Sequence, residues 1–288
     1  MTALRDLKKR LESVRTTGKL AGAMKTVATA KFGRISSASE RFAPFAEAES
    51  EIARLAREAY YSELGEAPCG DEAQFSEKNE APKLYVLIAS NRGLCGGYNH
   101  DLFAFFAENI VSVEADLLTV PCGRMAIEYC REKGIPALRE FAVSDVPEYD
   151  EACELSEYLY SVFESGGASE VSFVCQEYYN MMRQEPAVKR LLPMEEAAAN
   201  PAGSTDPMIF VPDAETVLKE LVPMSLAGAV YSRLQSCALG AAASMLLAMR
   251  AAYDNSNEQA ALLETAINRR RQAEVTQSVL ETSSDPFN

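Results

Sequence analysis

Histidine is almost absent from this 288-residue chain, His100 being the only one. A Ser-His-Asp or Cys-His relay would have to use that single imidazole, and a Cys/His zinc site needs ligands at clustered spacing, so neither chemistry is supported. The seven cysteines (Cys69, Cys95, Cys122, Cys130, Cys153, Cys175 and Cys237) are odd in number and scattered, with no C-x-x-C spacing. They read as reduced thiols in a cytosolic setting. No stretch approaches the roughly 18 to 20 uninterrupted apolar residues of a membrane span, and the opening MTALRDLKKR lacks the apolar block of a signal peptide. Export and membrane insertion are therefore not expected. Positive charge is also scarce. Twenty-eight Lys and Arg face 42 Asp and Glu, for a net charge of −14, which opposes a phosphate backbone as the main partner. Basic surface can only be local, at Lys8-Lys9-Arg10 and Arg269-Arg270-Arg271.

What is present is apolar content enough for a real core, 48% of residues, in a chain long enough for one large domain or two small ones. Residues Leu4 to about Tyr61 read as helix. Counting heptads from Leu4 puts Leu4, Leu11, Gly18, Lys25, Phe32, Ser39 and Ala46 at one seam position, and Leu7, Val14, Ala21, Ala28, Ile35, Phe42 and Glu49 at the other. The small residues Gly18, Ala21 and Ala28 invite close approach by another long helix. Pro44 is expected to kink or break the helix near Phe42.

The texture then changes. Residues 63–82 are polar, acidic and rich in Gly and Pro, so they read as a linker. Short β-rich runs at 83–90, 116–123 and 171–179, with helical stretches near 99–112, 124–133 and 151–164 between them, predict a Rossmann-like α/β domain over 83–212. From Asp213 to the end the chain reads as helix again, interrupted at Pro223 and then free of proline to Pro286. Pairing the two terminal helices predicts an antiparallel coiled coil (1–62 with 213–288) and an inserted α/β domain; the alternative is that each helix belongs to a different oligomer contact.

Ser90 to Asn99 (SNRGLCGGYN) follows the first predicted strand and precedes a helix, where a phosphate-cradling loop would sit. Gly97 is followed by Tyr98 and Asn99 rather than by Lys and Ser/Thr, and the spacing of Gly93, Gly96 and Gly97 is not G-x-G-x-x-G. A structural turn, whose glycines give positive φ and close packing, is the alternative to nucleotide binding. His100 reads as a surface or packing residue. Glu195-Glu196 and Asp145 with Glu148 fall in predicted loops and read as solvated. The basic clusters fit either an acidic partner surface or plain solvent-facing positions.

Four segments carry a specific resemblance. Ser13 to Lys31 (SVRTTGKLAGAMKTVATAK) resembles S-V-x-x-T-x-K-I-T-x-A-M-x-x-V-A-x-x-K, and Ser90 to Asn99 resembles S-D-R-G-L-C-G-G-x-N. Ala248 to Asn255 (AMRAAYDN) resembles A-M-K-A-A-T-D-N, and Asn268 to Gln277 (NRRRQAEVTQ) resembles Y-N-K-A-R-Q-A-x-I-T-Q. These are motifs of the gamma-subunit family of F-type ATP synthases, in the right order over nearly the whole chain. The resemblance implies a shaft threading a ring of alpha and beta subunits, with its α/β domain on the membrane c-ring and touching the epsilon subunit. It implies no catalytic, cofactor or metal site in this chain, and a peripheral location on the cytoplasmic face of a bacterial membrane. By the same resemblance Met24 faces an acidic loop of beta, and Arg250, Arg271, Gln272 and Thr276 face beta or tune coupling.

Departures stand beside the matches. Where the family usually carries S-E-x-A-A-R-M this chain has Gly240 to Leu246 (GAAASML), without the carboxylate and the arginine. Asn91 stands in place of an aspartate, and Ser278 in place of a glutamate. A rival from another class is a stand-alone nucleotide-binding α/β protein with coiled-coil scaffold arms.

Overall fold

The computed structural model of the chain describes residues 2–64, 81–114, 116–193, 210–211 and 213–283. Most of the expected linker at 63–82, most of the loop between Pro193 and Pro212, Cys69 and Glu195-Glu196 lie outside the described residues. The elements run α1 (Thr2–Leu64), β1 (Lys83–Ile88), α2 (Tyr98–Phe106, continued by a π-helical turn Ala107–Val111), β2 (Leu118–Cys122), α3 (Arg124–Lys133), α4 (Tyr149–Glu164), β3 (Glu170–Asn180), β4 (Arg183–Leu192) and α5 (Ala214–Ser283). They divide into two compact units, Met1–Thr29 with Met245–Asn288, and Ala30–Ser244.

The first unit is a helix pair. Arg15 Nη2 meets Glu264 Oε1 at 2.6 Å, a Cβ on Gly18 would lie 3.1 Å from Ser256 Cβ, and one on Gly22 would lie 3.2 Å from the Tyr253 ring. As numbers rise on α1 they fall on α5, so the pair is antiparallel. Gly18, Ala21 and Ala28 are buried, while Thr17, Lys19, Leu20, Val27 and Thr29 beside them are exposed. The small seam thus lets the backbones approach, as knobs-into-holes packing requires. Threonines of α1 satisfy their hydroxyls by bonding back one turn, Thr16 Oγ1 to Glu12 O at 2.9 Å and Thr29 Oγ1 to Lys25 O at 2.9 Å.

The second unit is built on a four-stranded sheet of order β2-β1-β3-β4. β1 is parallel to β2 and β3, whereas β3 and β4 form an antiparallel hairpin. Parallel neighbours demand crossovers, which α2 supplies between β1 and β2, and α3 and α4 between β2 and β3. Alternate residues of β1 serve opposite faces. Leu84, Val86 and Ile88 join Leu155 and Leu159 of α4 and Leu226, Val230 and Leu234 of α5. Tyr85 and Leu87 join Leu102, Phe106 and Ile110 on the other side. Strands covered on both faces read as near-continuous apolar runs, as β1 does after Lys83.

Three expectations need correction. α1 runs through Pro44 and α5 through Pro223 without interruption. Both prolines are on exposed faces, where water can satisfy the carbonyl one turn back that proline leaves without a donor. β4 was not foreseen. Its sequence RQEPAVKRLL carries a proline and four charges, and Pro186 sits in this strand at the sheet edge, opposite Gln176. Finally, α5 contains a window long and apolar enough, by length and composition alone, to cross a membrane. Arg233 and Gln235 interrupt any unbroken run, and Leu226, Val230, Leu234 and Cys237 of this helix lie in the protein core.

Candidate functional site

The residues expected to couple to a partner fall at two levels of the helix pair. Gly22 faces Tyr253, so Met24, two residues on, lies level with about Arg250 and Ala251 in an antiparallel pair. Met24 is half-buried and Arg250 exposed. Beside them Lys25 Nζ sits 4.8 Å from the centroid of the Tyr253 ring, a cation over a π-face. Arg250 Nε reaches only to 4.0 Å from Asp254 Oδ2, and both side chains are largely in water, so the guanidinium is weakly engaged within the chain.

Arg271, Gln272 and Thr276 lie about 30 Å or more farther along α5, at 1.5 Å per residue. All three are exposed. By the register of Gly18 against Ser256 and Gly22 against Tyr253, Leu4 is level with about position 270, and α5 beyond that point has passed it. Val275, Val279 and Leu280 are each more than half exposed there. Thr276 Oγ1 donates to Gln272 O at 2.9 Å. Apolar groups on a solvated helix end make a contact surface rather than a fold core.

The glycine loop is held by hydrogen bonds to the sheet and to α5. Asn99 is buried, and its Nδ2 donates to Ser90 Oγ at 2.7 Å while its Oδ1 accepts the Ser90 N–H at 3.2 Å. Tyr98 Oη donates to Cys237 O at 2.8 Å, and Gln176 Nε2 donates to Tyr98 O at 3.0 Å. Ser244 Oγ donates to Cys95 O at 2.9 Å, and a Cβ on Gly240 would lie 3.2 Å from the Tyr98 ring. The stretch that departs from the usual acidic and basic pattern is thus the seat on α5 that receives this loop. Burial drives the Tyr98 phenol well above its ordinary pKa, with the neighbouring thiols adding to the effect.

The loop's glycines are unequal. Gly96 has φ of 60°, which favours glycine. At Gly97 a Cβ would meet the flexible Asp101 carboxylate at 2.8 Å, and at Gly93 it would meet nothing. The glycine the backbone most requires is one the sequence did not single out. Gly123 has φ of 87°, and a Cβ there would lie 2.3 Å from Ala89 O. His100 is exposed in the first turn of α2.

Two of the sequence motifs also meet at a carboxylate that sequence reading left in solvent. Asp145 Oδ2 accepts from Lys31 Nζ, and Arg92 Nε lies 3.3 Å from the same oxygen. Asn91 Nδ2 donates to Val143 O at 2.5 Å and its Oδ1 accepts the Arg124 N–H at 3.0 Å. Burial alone would raise the Asp145 pKa, but the bonds and charges of Lys31, then Arg92 and Asn91, outweigh it and hold the carboxyl below its ordinary value. Glu148 stands at the start of α4, where its N–H donates to Glu151 Oε2 at 2.8 Å. Lys31 and Arg92 were visible in their motifs. Nothing near Asp145 in sequence announces their partner.

A protein-family model described as ATP synthase matches residues 3–284. The ATP synthase gamma chain of Desulfitobacterium hafniense is 30% identical over 288 residues, covering 98% of this chain and 97% of the relative. This chain belongs to the ATP synthase gamma-chain family. The gamma chain of Desulforamulus reducens is 29% identical over 283 residues, covering 98% and 97%. Among solved structures, the rotor of the Euglena gracilis mitochondrial ATP synthase superposes with a TM-score of 0.63 at 16% identity, covering 95% of this chain and 99% of that one. A chain of the Tetrahymena thermophila mitochondrial ATP synthase central stalk and c-ring gives 0.60 at 19%, covering 81% and 99%. At such identities the likeness is one of fold alone. Family membership makes this chain a central-stalk subunit.

Proposed function

We propose that this chain is the non-catalytic rotor of an F-type ATP synthase, transmitting torque between an ion-driven c-ring and a catalytic ring of three alpha and three beta subunits. The observation that carries the reading is the antiparallel helix pair with a glycine and alanine seam, ending in a solvated helix that exposes Val275, Val279 and Leu280. Such a pair is slender and stiff, and its apolar tip needs a partner to cover it. The working divisions are shaft helices over 1–62 and 213–288, a linker at 63–82 and an α/β domain over 83–212. The α/β domain rests on the c-ring and touches the epsilon subunit, which makes the chain peripheral to the membrane, on the cytoplasmic face of a bacterial plasma membrane.

Met24, Arg250, Arg271, Gln272 and Thr276 are the residues that meet beta. An apolar Met24 slides past an acidic loop without a fixed ion pair, whereas a lysine there would form a charge-assisted contact that has to break on every turn. Each orientation of the shaft favours different beta conformations, and that difference in binding is the coupling free energy. The glycine loop, with Gly93, Gly96 and Gly97, is structural. Tyr98 and Asn99 are buried, and the Asp101 carboxylate lies beside Gly97, an acidic neighbour that does not favour a phosphate in this loop.

The test is native mass spectrometry of this chain co-expressed with the alpha and beta subunits encoded beside it. One copy per three alpha and three beta, in a complex whose ATPase activity needs the chain, is the expected result. A chain that stays apart from the ring and binds ATP alone would overturn the proposal in favour of the scaffold.

A further inference from the structure

Within the unit Ala30–Ser244 the two terminal helices are attached to the sheet in different ways. α5 sends Leu226, Val230, Leu234 and Cys237 into the larger hydrophobic core and accepts the glycine loop through Cys237 O and Ser244 Oγ. Among the described residues neither hydrophobic core contains a residue of α1. α1 is tied to the rest of the unit by Lys31 on Asp145, by Phe42, whose ring lies 6.1 Å from that of Tyr149 at the start of α4 and 4.8 Å, edge-on, from that of Tyr231 on α5, and by Glu49 beside Gly228. An apolar seam permits neighbouring registers at similar energy, whereas a polar contact at one level selects a single register.

The Lys31 contact is built to hold such a register. Lys31 and Asp145 are 22% and 29% exposed, shielded enough to exceed a surface pair. Asp145 is anchored on both sides. Asn91 grips Val143 O, and Glu151 Oε1 accepts the Ser144 N–H at 2.7 Å. Arg92 adds a second cation from the glycine loop, which is itself seated on α5. A continuous chain of polar contacts therefore runs from α1 through Asp145 and the glycine loop to α5.

We propose that Lys31, Asp145 and Arg92 form an ionic latch that fixes α1 against the sheet-bearing body, so that both shaft helices rather than α5 alone carry torque. The latch rests on the rotor reading. Its members are positioning residues that touch no substrate, and their removal loosens coupling without stopping hydrolysis. With the latch gone, α1 can creep along its seam while beta continues to cycle.

The test uses the assembled membrane complex in vesicles, comparing ATP hydrolysis with ATP-driven ion uptake. Lys31→Met and Asp145→Asn each keep the shape of the side chain and remove the ion pair, and Lys31→Arg restores the charge. The expected result is ion uptake per ATP lowered about fivefold in the first two variants, with hydrolysis within about twofold of wild type and normal coupling in Lys31→Arg. Unchanged uptake per ATP in both Lys31→Met and Asp145→Asn would overturn the latch while leaving the rotor reading intact. Failure of the unaltered chain to enter the complex would instead strike at the rotor itself. Thermal unfolding of the isolated variants supplies a second decision. A collapse in Tm with either variant would assign the contact to folding alone and overturn the latch, whereas near-normal melting with lost coupling supports it.

Discussion

The helix pair and the sheet-bearing unit solve opposite problems with the same chain. In the sheet unit Leu84, Leu87, Leu102, Phe106 and Leu155 are fully buried, and the sheet carries an apolar core on each face. In the helix pair the seam is glycine and alanine, while Leu20, Leu262, Val275, Val279 and Leu280 stay exposed. The sheet unit carries its own reasons to fold. The helix pair leaves large apolar side chains for other surfaces to cover, as expected of a shaft that works inside a bearing.

The sharpest way to break this contrast is to attack the sheet unit where its backbone has no freedom. Gly123→Ala places a methyl against Ala89 O in a conformation that L-residues avoid, and should cost about 3 kcal/mol or more in urea unfolding of the isolated chain. Phe106→Ala, which empties a fully buried site, should cost about 3 to 5 kcal/mol, whereas Leu262→Ala should change isolated stability by no more than about 0.5 kcal/mol. A large loss from Leu262→Ala would mean the helix pair has a core of its own. In the pair itself, Gly18→Val should cost about 1 to 3 kcal/mol by pushing against Ser256, read as earlier melting of helical circular dichroism. Gly93→Ala, facing open space, should be near neutral in the same assay.

The smallest expected effects are in pH dependence, where two carboxyls of the sheet unit differ in sign. Asp145 has a lowered pKa, so its contribution is fully present above the unfolded aspartate value, about 3.9, and is lost as pH falls through the folded value below it. Glu49 is buried, and its Oε1 has no donor among the described residues. Burial raises its pKa, with the nearby Ser225 hydroxyl pulling the other way. The folded state therefore holds the Glu49 proton more tightly than the unfolded one, and stability falls as pH rises through the folded value. Glu49→Gln should raise the urea midpoint at neutral pH and leave it unchanged in acid. Asp145→Asn should lower it at neutral pH.

Local pattern was enough to read the shaft and most of the sheet. The heptad count put Gly18, Ala21 and Ala28 on the seam, and the alternation of β-rich and helical runs marked β1, β2, β3 and the helices between them. Long-range chemistry was not legible. β4 hid behind Pro186 and its charges because only pairing with β3 makes a strand of it. The prolines at 44 and 223 read as stops because exposure, which makes them tolerable, is a tertiary property. Asp145 read as solvated because its partners lie 114 residues before it on α1 and in the glycine loop. Gly123 was passed over because its need for a missing Cβ comes from Ala89, on a different strand's end.

The rotor claim is tested most directly by watching the chain turn. With the catalytic ring fixed to a surface and a bead attached through Met182→Cys, an exposed position in the β3–β4 turn, the account predicts stepwise one-way rotation when ATP is added. A bead that stays still while the same complexes hydrolyse ATP would contradict it.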